Sequence, residues 1–177
     1  MKDLMIDLET LGTSSKAVVI SIGACFFDPD AGKIGETFYA PLQIKEQITK
    51  GREVNADTLY WWMCQPEAAK RVFNEDPYSV ENALVYLNSW IGSICSTTEV
   101  RPWGNGSIFD ISIMESLFAD YGRQCPWRYS NVMDLRTFRR FVANNMKVPV
   151  IGTAHNAVDD AVSQAQYVID HMKKVTP

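Results

Sequence analysis

Residues 2–9 alternate between two faces, with Leu4, Ile6 and Leu8 on one and Met5, Asp7 and Glu9 on the other. A period of two predicts a β-strand, and the two-residue step aims both carboxylates the same way. Residues 17–27 are apolar almost throughout and rich in Val and Ile, which predicts a second, buried strand. Asp28-Pro29-Asp30-Ala31-Gly32-Lys33 supplies a turn, and residues 34–42 provide an antiparallel partner beyond it. The chain therefore opens as a three-stranded meander.

The period then changes. Residues 57–65 predict a helix carrying Trp61 and Trp62, and Pro66 opens a second, short one at a position where its missing N–H does no harm. Asp76-Pro77 opens a longer amphipathic helix reaching residue 93, with Leu84, Leu87 and Ile91 on one face. Residues 99–103 predict a fourth strand, Gly104 and Gly106 a loop, and Asp110 starts a helix through Met114, Leu117 and Phe118. A short fifth strand over 131–133 leads to Asp134, which caps a helix over 135–146, and a last helix covers 158–173. A meander followed by strand–helix alternation predicts an α/β fold with a mixed five-stranded sheet, antiparallel then parallel, flanked by helices. With no repeat or linker, residues 1–177 read as one domain.

Composition narrows the class. Hydrophobic residues at 46% and charged residues at 21% are those of a soluble globular protein. The first strand starts too near Met1 for a signal peptide, and the apolar run 17–27 is shorter than the roughly 20 residues a membrane helix needs. Cys25, Cys64, Cys95 and Cys125 lack paired spacing and read as reduced core cysteines of a cytoplasmic protein, not as a zinc site or disulfide frame. A net charge of −4 excludes a broad basic surface gripping long nucleic acid, while leaving room for a clamp on a short single-stranded end.

Three segments carry chemistry: Asp7 and Glu9 in Leu4-Met5-Ile6-Asp7-Leu8-Glu9-Thr10, Asp110 closing Gly104-Asn105-Gly106-Ser107-Ile108-Phe109-Asp110, and His155 with Asp160 in His155-Asn156-Ala157-Val158-Asp159-Asp160. Taken singly, each has a bland reading: solvated carboxylates, a helix N-cap at Asp110, a surface histidine. Together, four carboxylates and one imidazole make a cage for two divalent ions about 4 Å apart, plus a proton acceptor. Oxygen ligands suit Mg²⁺ or Mn²⁺, with Asp7, Glu9, Asp110 and Asp160 as ligands, Asp7 bridging and His155 as the base. Five positions on a helix turn through roughly 140°, so His155 belongs on a loop and Asp160 in the first turns behind it. Asp159 is the rival ligand.

These motifs resemble those of the DnaQ-like (DEDDh) 3′–5′ exonuclease superfamily, and Thr58-Leu59-Tyr60-Trp61-Trp62 further resembles small ribonuclease T-like bacterial and phage exonucleases. The resemblance implies a ribonuclease H-like fold, two divalent ions and release of nucleoside 5′-monophosphates. Its His-x4-Asp spacing selects Asp160 over Asp159. The chain departs from the family at the middle motif, where Gly-Asn-Gly-Ser-Ile stands in place of His-Asn-Ala-x before Phe109-Asp110. Thr10 and Leu11 resemble positions that hold a 3′-terminal nucleotide, and one of Trp61 and Trp62 stacks on a base or both pack in the core. Arg136, Arg139, Arg140 and Lys147 read as a solvated helix face rather than as phosphate contacts. A homodimer is expected by resemblance alone.

The expected function is a metal-dependent 3′–5′ exonuclease acting on single-stranded RNA or DNA 3′ ends. The alternatives are an exoribonuclease trimming short RNA or tRNA ends, a small-nucleotide phosphatase, and a non-catalytic nucleic-acid-binding module on the same fold.

Overall fold

The computed structural model describes residues 1–142 and 146–172. The meander consists of β1 (Asp3–Thr10), β2 (Val19–Asp28) and β3 (Lys33–Pro41), each antiparallel to the next. On the other side of β1, β4 (Arg101–Gly104) pairs in parallel, and β5 (Met133–Asp134) pairs in parallel with β4. The order β3-β2-β1-β4-β5 puts β1 at the centre, so its side chains are enclosed from both faces.

The strand alternation of β1 divides the core. Leu4, Ile6 and Leu8 join Ile22, Ala24 and Phe26 under α3 (Val80–Ile94) and α4 (Asp110–Asp120). Met5, Cys25, Phe27 and Trp103 pack on the opposite face against Ala161, Ala165 and Val168 of α6 (Ala157–Met172). Asp7 and Glu9 share that second face, so α6, which packs there, can bring later residues to them. Its approach depends on Gly23, which pairs with Asp7 in the sheet. A Cβ at Gly23 would lie 2.0 Å from the carbonyl carbon of Ala157, so only glycine lets the start of α6 rest on the strand.

Several predicted elements shift. The helix α1 (Ile44–Thr49) was not foreseen; its one buried residue, Gln47, bonds both backbone groups of Val19 at 2.8 and 2.7 Å. The helix over the tryptophans is α2 (Ala56–Met63), and a 3₁₀ turn over Ala69–Asn74 takes the place of the helix expected from Pro66. Asp76-Pro77 does not open α3. Tyr78 instead exchanges backbone hydrogen bonds with Pro41 and Gln43, which keeps the stretch extended until Ser79 caps Asn82 N–H. The fifth strand starts two residues later than expected, because Tyr129–Asn131 forms a 3₁₀ turn. Asp134 Oδ1 accepts from Thr137 N–H at 2.7 Å, capping α5 (Leu135–Val142) as predicted. Residues 143–145 and 173 of the predicted last two helices lie outside the described residues.

Cys25 and Cys95 are buried, but Cys64 is exposed at the C-terminal end of α2, beyond the turn that buries Trp62, so it is not a core cysteine. No helix among the described residues is long and apolar enough to cross a membrane.

Candidate active site

Asp7 and Glu9 reach the site from β1, and Asp110 reaches it as the first residue of α4. Phe109 occupies the N-cap of that helix with no side-chain hydrogen bond, so Asp110 is not spent as a cap. Gly104 makes its position available: a Cβ there would stand 3.0 Å from both Cβ and Oδ2 of Asp110. Gly104, one of the two glycines by which this middle motif departs from the family pattern, thus has a packing reason on the strand side.

His155 and Asp160 arrive from the opposite layer. His155 lies off the helix with a left-handed φ of 63°, and its N–H donates to Asp160 Oδ2 at 2.9 Å. Asn156 Oδ1 caps α6 by accepting from Asp159 N–H at 3.2 Å. The neighbouring aspartates then part company. Asp159 turns back to the loop, where Oδ2 accepts from Thr153 N–H at 2.7 Å, whereas Asp160 faces the strand. One ligand atom each of Glu9, His155 and Asp160 lies within 4.8 Å of the other two.

The four carboxyls repel each other in a dry setting. Burial raises Asp7 well above the carboxylate range, the charges of Asp110, Glu9 and Asp160 raise it further, and the amide N–H of Gln164 pulls the other way. Burial, then Asp160 and Asp110, push Glu9 up to about 8. Burial carries Asp110 to about 7 against backbone N–H groups led by that of Gly106, and Asp160 is likewise raised, chiefly by burial. Among the described residues no lysine or arginine pairs with any of the four. Buried and half-buried carboxylates with no lysine or arginine partner fit divalent ions, which would supply the missing positive charge.

Asp7, Glu9, His155 and Asp160 floor a cleft of about 550 Å³. Thr10, Thr58, Trp61 and Trp62 form one wall; Arg139, Lys147 and Val148 contribute to the other. The tryptophans have separate duties. Trp62 is 2% exposed and donates from Nε1 to Thr10 O at 2.9 Å, while Trp61 is 41% exposed and meets the His155 ring edge-on, centroids 4.9 Å apart. Leu11, expected beside Thr10 as a wedge, is buried with Val18, Ile20 and Trp62 and is absent from the wall, because its N–H pairs with Val18 O and its side chain enters that small core. The basic stretch is not simply a solvated face. Arg139 and Lys147 line the cleft, and Arg136 shares a second cavity of about 300 Å³ with Asp7, Asn105 and Asp110. Sequence reading missed Gln164, although its position four residues after Asp160 on one helix places the two on the same side.

A family model described as the 3′–5′ exoribonuclease Rv2179c-like domain matches residues 2–172. An exodeoxyribonuclease of Enterobacteria phage T4 is 28% identical over 139 residues, which cover 70% of this chain and 58% of the phage protein. The chain thus spans less than two thirds of that relative. The nuclease domain of 3′hExo, a DEDDh family member bound to rAMP, superposes with a TM-score of 0.62 at 12% identity, covering 97% of this chain and 91% of that one. E. coli Exonuclease I in complex with a dT13 oligonucleotide gives 0.65 at 13% identity, covering 98% and 42%. These structures share the ribonuclease H-like fold that the motifs imply.

Proposed function

The chain belongs to the Rv2179c-like 3′–5′ exoribonuclease domain family, and from that premise we propose that it is a metal-dependent exonuclease that shortens single-stranded nucleic acid from the 3′ end, releasing nucleoside 5′-monophosphates. The observation that carries this reading is the set of four carboxyls with no lysine or arginine partner, beside an imidazole: Asp7, Glu9 and Asp160 line the open cleft, and Asp110 adjoins Asp7 in the smaller cavity next to it. Asp7, Glu9, Asp110 and Asp160 would hold two cations, Mg²⁺ or Mn²⁺. Those ions would polarise the scissile phosphate and stabilise the departing oxygen. His155 accepts the proton of the attacking water on a ring nitrogen while the bond from phosphorus to the 3′ oxygen breaks. Trp61 offers its exposed face to the terminal base, and Thr10 borders the sugar. The family's description favours RNA as the better substrate.

Digestion of matched 5′-labelled RNA and DNA oligomers with Mn²⁺ tests the proposal. The expected result is a ladder shortening from the 3′ end, faster on RNA, that EDTA stops. Internal cuts, shortening from the 5′ end, or full activity in EDTA would overturn it. His155→Ala should lower kcat by roughly 10²–10⁴-fold and keep Mn²⁺ binding. Lost binding would make His155 a ligand instead.

A further inference from the structure

Gln164 is 5% exposed and donates its amide N–H to Asp7 Oδ1 at 2.7 Å. Its other polar atom, Oε1, is buried with no hydrogen-bond partner among the described residues. A buried acceptor left unpaired costs about 1–3 kcal/mol. Leucine or methionine would fill a similar volume without that cost, in keeping with the apolar Ala161, Ala165 and Val168 on the same helix. What neither could supply is the N–H. The other buried polar residue here, Ser163, is engaged with the backbone of Ile151 and Asp159, so it does not reach Asp7 in its place.

The donor is also neutral. A lysine or arginine at this position would pair with Asp7 and cancel the charge that a divalent ion needs, whereas an amide orients the carboxylate and leaves its charge intact. We propose that Gln164 is a positioning residue that fixes the Asp7 carboxylate in the orientation required for cation binding. This rests on the reading of the site given above.

The test uses Gln164→Met, with Gln164→Leu as a second variant of similar size. Thermal melts in EDTA, calorimetric titration with Mn²⁺, and kcat and KM on a short RNA are measured for both and for the wild type. The expected variants melt at or above the wild-type temperature and bind Mn²⁺ about 10–100-fold more weakly. Their kcat should fall at low Mn²⁺ and recover at high Mn²⁺, with KM for RNA unchanged. Wild-type Mn²⁺ affinity in a folded variant would overturn the role. So would failure of both variants to fold, which would make Gln164 a packing residue. A wild-type protein that binds no Mn²⁺ would overturn the cage itself and this role with it, a result distinct from the other two.

Discussion

Stripped of divalent ions, the protein should lose stability as the pH rises from about 5 to about 8. Glu9 shows the reason. Its carboxyl titrates near 4.5 in an unfolded chain but at about 8 in the folded one. Between those values the folded state holds a proton that the unfolded state has released. The associated stability is therefore fully present below the unfolded value and is lost as pH climbs through the folded one. Each tenfold in the ratio is worth about 1.4 kcal/mol, so Glu9 alone represents a loss of about 4–5 kcal/mol by pH 8. Asp110, moved from 3.8 to about 7, loses its share over a slightly lower range. The carboxyls titrate as one cluster, so the two losses do not add. For a chain of this length the Glu9 figure corresponds to a melting temperature lower by about 10–20 °C. Calorimetric melts in EDTA at about pH 5, 6, 7 and 8 would measure it. Repeating them with Mg²⁺ should remove most of the slope, and Glu9→Gln should reduce it without metal, leaving the share of Asp110. A melting temperature that stays level or rises with pH in EDTA, or a slope that Glu9→Gln leaves undiminished, would refute this account.

Three further outcomes follow from named contacts. Asp160→Asn should abolish turnover, whereas Asp159→Asn should keep most of it and lower the melting temperature, since Asp159 secures the Thr153 backbone; the reverse ranking in purified, folded variants would exchange their roles. Trp61→Ala should raise KM for oligonucleotides by about 1–3 kcal/mol of lost stacking at an unchanged melting temperature. Trp62→Ala should instead unfold the protein more readily, as the loss of a 2% exposed indole demands. Gly23→Ala should cost about 1–3 kcal/mol or more and depress kcat by lifting α6 off β2; an unaffected melting curve would remove the close approach from the account.

The cleft was legible wherever local spacing carries geometry. The alternation of β1 put Asp7 and Glu9 on one face, and the 140° argument put His155 off the helix that carries Asp160; both hold in the structure. What escaped depends on contacts between distant segments. Arg139 and Lys147 look like a solvated face from their own neighbours; the placement of α5 beside α6 brings Arg139 to the cleft, and Lys147 reaches it from the non-helical segment further on. Gly23 carries no signal in an apolar run, since its reason is the backbone of Ala157. The start of α3 was misread because Asp-Pro imitates a helix opening, while strand-like pairing of Tyr78 with Pro41 and Gln43 overrides it. Gln47 lies in a short, mostly polar helix, and its pairing with Val19 could not be inferred from periodicity.

The hydrogen bond between Asp7 and Gln164 joins residues 157 positions apart. During synthesis β1 leaves the ribosome first and α6 much later, so the four carboxyls cannot meet until that helix has emerged and settled over Gly23. On the function proposed above, the chain would carry no nuclease activity before that point. Closing so long a loop is also slow relative to forming the meander. Onset of nuclease activity during refolding should thus report the docking of α6, lagging behind the appearance of sheet structure.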